Sequence, residues 1–96
     1  MAQLIGPAYT ASESITVTAA VKALTAATYV NRKHAHITCE TNPVRYWLDG
    51  TDPSATVGHR LEAGGVLDLD SGHQLANVKF FAVGADATLR VSYGVG

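Results

Sequence analysis

Four histidines and eight acidic residues supply most of the groups that could do chemistry in this chain. His34 and His36 stand two apart, so on a strand they share a face and could both reach one ion. A zinc site needs further ligands, for which His59, His73, Glu40 and Asp49 qualify by type. No H-E-x-x-H or C-x-x-C spacing accompanies them, and beside Arg32 and Lys33 the pair reads as two exposed strand histidines. Asp49, Ser54 and His59 hold the residue types of a hydrolase triad. They lack the G-x-S-x-G elbow and fall in a Gly- and Pro-punctuated stretch, where Ser and Asp serve as turn formers. Asp68 and Asp70, with Glu62 nearby, have the composition of a glycosidase carboxylate pair or a calcium site. Because they alternate with Leu67 and Leu69, they read instead as the solvated face of a short strand.

Cys39 is in phase with Ala35 and Ile37, which predicts a buried thiol. Gly64-Gly65 lacks the lysine and the helix of a phosphate loop and reads as a turn into Val66. Arg45 and Trp47 lie opposite Val44, Tyr46 and Leu48; they either close a second layer of the core or form an exposed contact pair of the residue types enriched at interface hot spots. None of these patterns amounts to an active site. Neither an enzyme, a cofactor nor a metal is expected.

The elements that must position these groups are strands. Glu13–Ala19, Ala35–Cys39, Val44–Leu48, Val66–Asp70 and Ala87–Tyr93 alternate with period two, and Val78–Val83 is apolar on nearly both faces, as a central strand is. Turn signals at Asn31-Arg32-Lys33, Thr41-Asn42-Pro43, Asp49-Gly50, Asp52-Pro53, Gly64-Gly65, Ser71-Gly72 and Gly84-Ala85-Asp86 separate them. The Ala-rich segment 19–28 reads as a strand end, a turn and a short strand through Thr28-Tyr29-Val30, with a helical turn as the alternative. The pattern predicts an all-β fold, a single small β-sandwich of about seven or eight short strands. A jelly roll is favoured, with an immunoglobulin-like sandwich as the alternative. Residues 1–12 carry little periodicity and predict an extended N-terminal arm ahead of a sandwich domain over 13–96. The arm carries Leu4, Ile5 and Tyr9, and either frays or lies across a neighbouring subunit.

Composition narrows the class. The chain has 96 residues and a net charge of −1, with +2 over residues 1–48 and −3 over 49–96. Fifteen alanines leave the core bulk to Val, Leu, Ile, Phe, Tyr and one Trp. The near-neutral charge argues against nucleic acid as a partner. No apolar run of about 18 residues is present to span a membrane. Residues 1–7 lack the basic and apolar segments of a secretion signal. One cysteine cannot form an internal disulfide, which fits a reducing compartment.

The run Arg45-Tyr46-Trp47-Leu48-Asp49-Gly50-Thr51-Asp52-Pro53-Ser54-Ala55-Thr56-Val57-Gly58-His59 resembles small all-β structural proteins of tailed-bacteriophage virions. So do the Gly64-Gly65 turn with Val66-Leu67-Asp68-Leu69, the closing Ala87–Tyr93, and the opening at residues 17–25. The resemblance implies a virion protein assembled in the bacterial cytoplasm, foremost a capsid decoration (cement) protein on the outer head surface. Its partners are then the major capsid protein and further copies of itself, foremost as a homotrimer. Leu4, Ile5, Tyr9, Arg45 and Trp47 are the expected contact residues. A tail, baseplate or fibre component and a carbohydrate-binding module are the alternatives.

Overall fold

The structure, a computed structural model, describes residues 8–95. Eight strands run β1 (Ala8–Val17), β2 (Lys22–Ala23), β3 (His34–Glu40), β4 (Val44–Trp47), β5 (His59–Leu61), β6 (Val66–Leu69), β7 (Lys79–Ala82) and β8 (Ala87–Val95), with short helices α1 (Ala26–Tyr29) and α2 (Gly72–Asn77). They form two four-stranded antiparallel sheets, ordered β1-β8-β3-β6 and β2-β7-β4-β5. First pairs with eighth, second with seventh, third with sixth and fourth with fifth. This nested order is a long hairpin rolled into two facing sheets, the winding of a jelly roll. It is not the ABED/CFG order of an immunoglobulin domain, in which the first two strands are neighbours.

The rolled hairpin has two unlike ends. At one, the short connections meet: Ala82 N donates to Thr18 O at 3.0 Å, Val83 N to Pro43 O at 3.3 Å and Gly64 N to Cys39 O at 2.7 Å. The Asn42 amide donates to Asp86 O at 2.9 Å across the same end. At the other end lie the long connections: the α1 segment, the loop 48–58 and the α2 segment. The start of β1 and the end of β8 lie there too.

Alternation places the core between the sheets. Ile15 and Val17 of β1, Leu89, Val91 and Tyr93 of β8, and Ala35, Ile37 and Cys39 of β3 point inward from one sheet; Val44, Phe80 and Ala82 face them from the other. Cys39 is 1% exposed, as its phase predicts, and its thiol donates to Asn42 O at 3.1 Å.

Several elements differ from the expectation. The expected strand through Thr28-Tyr29-Val30 is instead the alternative, the single helical turn α1, followed by an irregular stretch, because Ala26 and Ala27 favour helix once the chain must turn between sheets. Residues 8–12, expected in the arm, already belong to β1 and pair with β8; the rest of the expected arm, with Leu4 and Ile5, lies outside the described residues. Three elements were not expected at all. β2, of two residues, falls where a turn was expected. β5 is only three residues long, and α2 starts from Ser71, whose hydroxyl accepts from Gln74 N at 3.1 Å. Leu75 of α2 is buried and anchors the helix to the core.

Candidate functional site

The loop between β4 and β5 is the most elaborated part of the long-connection end. Arg45 points to the outer side of its sheet, and its guanidinium donates from Nε to Ala55 O at 3.2 Å and from Nη1 to Gly58 O at 2.9 Å. One side chain thus ties the second half of the loop, residues 55–58, down onto β4. Lys79 of β7 adds an ammonium contact to Asp52 Oδ1 at 3.1 Å, an exposed pair of small energetic weight. Pro53, within the loop, is buried. A Cβ on Gly50 would lie 3.3 Å from Asn77 Oδ1, so the loop also abuts α2.

The loop is braced internally by its own turn chemistry. Ser54 N donates to Val57 O at 2.9 Å, and the Ser54 hydroxyl accepts from Thr56 N and Val57 N at 3.3 and 3.1 Å. Asp49 Oδ1 accepts from Thr51 N at 3.1 Å, and the hydrogen bonds from Thr51 hold its carboxyl below the usual value. The outer rim then presents Thr51, Asp52, Thr56 and Val57, all exposed. Val57 shows 54% of its surface.

Trp47, at the end of β4, is half-buried, with its indole N–H buried and without an acceptor among the described residues. Its ring meets the exposed His59 edge-on at 5.0 Å, and Tyr46 meets the same imidazole at 5.3 Å. Arg45 therefore lies under the loop, and Trp47 packs beside it on His59 of β5.

The remaining candidates are distributed. Ser54 and Asp49 hydrogen-bond their own loop while His59 packs on Tyr46 and Trp47, so the three triad types are each engaged elsewhere. His36 Nδ1 pairs with Asp68 Oδ1 at 2.7 Å across β3 and β6. Register extends this row through Ser92 of β8 to Ser12 of β1. Among the described residues, no group of three or more His, Cys, Asp or Glu side chains is placed to hold a metal. Tyr9 is 48% exposed at the start of β1, opposite Gly94.

One anchoring residue was missed by sequence reasoning. Glu13 points inward from β1, where its carboxylate accepts from the Tyr93 hydroxyl and, at 2.6 Å, from Thr25 Oγ1. It ties the first strand to the last and to the start of α1. A charged residue on the apolar side of an alternating strand was the available signal.

No known family model matches this chain, nor does any curated protein or solved structure.

Proposed function

We propose that this chain is a structural protein of a bacteriophage virion: a capsid decoration protein that binds the major capsid protein on the outer head surface and bridges capsomers. The observation that carries the reading is where the run 45–59, the longest stretch of the resemblance, lies in the fold. It forms a loop tied down by Arg45 and braced by Ser54, at the same end of the sandwich as the start of β1. A pre-braced rim loses little conformational freedom on docking, so weak contacts repeated in an assembly add by avidity. Tyr9, exposed beside that end, extends the contact surface.

The test is co-sedimentation of purified protein with expanded heads that lack it. The expected result is saturable binding, weakened when Val57→Asp places a carboxylate on the exposed rim and when residues 1–7 are removed. That truncation spares β1, which begins at Ala8. Absence of binding to heads under any condition overturns the reading. Labelling at one end of intact particles would assign the protein to the tail. The Tyr46–Trp47–His59 cluster favours carbohydrate as a second ligand class, read as quenching of Trp47 emission by added glycan.

A further inference from the structure

Each sheet has two edges, and three of the four carry the devices by which natural sheets avoid pairing with other chains: short length and edge charges. β2 is two residues long and includes Lys22. β5 is three residues long and includes His59 and Arg60. β6 is four residues long, with Asp68 on its outer face and Asp70 directly after it. The fourth edge is different. β1 runs for ten residues, Ala-Tyr-Thr-Ala-Ser-Glu-Ser-Ile-Thr-Val, with no lysine, arginine or proline. Its one irregularity falls between Tyr9 and Ala11, so Ala11–Val17 is a regular seven-residue stretch against β8. The outer face of that stretch is Ser12, Ser14 and Thr16, all exposed. Its single charge, Glu13, is turned inward and engaged by Tyr93 and Thr25. Among the described residues, no backbone–backbone hydrogen bond other than those to β8 reaches β1, and the Thr25 N–H that approaches it donates to the inward Glu13 carboxylate at 3.4 Å rather than to the edge.

We propose that this edge pairs with the same edge of a second copy of the chain, joining two four-stranded sheets into one of eight strands about a twofold axis. A twofold contact is self-complementary, so one surface serves both copies. An axis perpendicular to the sheet keeps inner residues opposite inner residues, and electrostatics then selects the register. Centring on Glu13 sets two carboxylates face to face, which is unfavourable. Centring on Ser14 sets Ser14 opposite its counterpart, Ser12 opposite Thr16, Glu13 opposite Ile15 and Ala11 opposite Val17. That register places hydroxyl residues together on the outer face, where Ser/Thr pairs hydrogen-bond across strands, and opposes no like charges. The proposal stands independently of the virion role.

Light scattering on a sizing column reads the outcome. The expected native mass is twice 10.1 kDa, about 20 kDa, falling toward 10.1 kDa on dilution. Ser14→Lys puts two ammonium groups side by side on the axis and is expected to shift the protein to the monomer. Its circular dichroism should be unchanged, because the Ser14 side chain is exposed and the one hydrogen bond it loses, from Arg90 Nη1 at 2.7 Å, is exposed as well. Ser14→Cys is expected to form an intermolecular disulfide under mild oxidation, since cross-strand Cα separations of about 4.5–5.5 Å suit that bond. The same substitution at exposed Ala85 should not crosslink. A wild-type monomer at every concentration, a trimer of about 30 kDa (three times 10.1 kDa), or a Ser14→Lys dimer overturns the proposal.

Discussion

Tyr93→Phe isolates one hydroxyl in an otherwise intact core. The Tyr93 ring is 0% exposed and would keep its packing as phenylalanine, so no cavity opens. What is lost is the hydrogen bond from the phenol to the Glu13 carboxylate. A bond to a charged group contributes about 1.5–3 kcal/mol. Glu13 is only part-buried and keeps Thr25, so an expected cost of about 1–2 kcal/mol follows. For a domain of this size that is roughly 4–16 °C in Tm. The same bond makes a second, pH-dependent expectation. Burial, then the hydrogen bond and charge of Glu13, push the Tyr93 phenol well above its ordinary value. Because the folded-state value is raised, its stabilisation is complete below about pH 10, where an unfolded tyrosine begins to ionise. Above that pH the unfolded chain loses a proton that the folded chain retains. Stability from this group therefore falls by about 1.4 kcal/mol per pH unit. Urea unfolding of both proteins from pH 8 to 11 should show the wild type more stable at pH 8 and the difference shrinking steadily above pH 10. The other tyrosines are common to both proteins and cancel. A difference that stays constant to pH 11, or is absent at pH 8, would refute the clasp between Glu13 and Tyr93.

Gly58→Ala and Gly64→Ala separate backbone strain from crowding. Gly64, at φ +87°, has open space around its Cβ position, whereas Gly58, at φ +129°, would set a Cβ 3.2 Å from Tyr46 O and 3.3 Å from both Arg45 and Pro53. Gly64→Ala should cost about 1–2 kcal/mol from the left-handed backbone alone, with Gly58→Ala clearly more; equal thermal melts would remove the crowding argument. Burial, then the charges of Glu62 and Glu40, raise the Cys39 thiol above its ordinary value. A thiol reagent at pH 8 should therefore label Cys39 only as fast as the domain opens, and rapid labelling of the native protein would contradict that.

The strands that were legible are β3, β4, β6 and β8, whose period-two pattern is uninterrupted, and β7, whose continuous apolar run marks a central strand; β2, two residues inside an Ala-rich stretch, was not. The first part of β1 was not, and the reason is local. The irregularity between Tyr9 and Ala11 shifts the phase of the alternation, so Ala8–Ser12 reads as unstructured although it is paired. β5 is too short to show a period, and it exists because β4 supplies its partner. α2 did leave a trace: Ser71 followed by Gln74 is the S-x-x-Q spacing that opens a helix. Ser71-Gly72 read as a turn because six residues are too few for a helical period. Trp47 and Arg45 could be assigned to an outer face, but what covers Arg45 there is a loop folded back by contacts ten and thirteen residues away. Glu13 stood out only as a charge on the wrong side, since its partner Tyr93 lies 80 residues on.

The winding explains why one edge of this domain is long. In a nested roll the first strand must lie against the last, and here the last strand also lies against the third. β8 serves two neighbours over nearly its whole length, so it cannot be short, and β1 inherits that length. Length alone is therefore a property of the topology. Composition is not. Nothing in the roll prevents a lysine at Ser12 or Thr16, where side chains are exposed and a positive charge is free to be solvated; at Ser14 the opposing Arg90 already donates to the hydroxyl at 2.7 Å. The other three edges do carry charges. It is the hydroxyl-only outer face of an edge the topology obliges to be long, rather than the existence of that edge, that assigns it a partner strand.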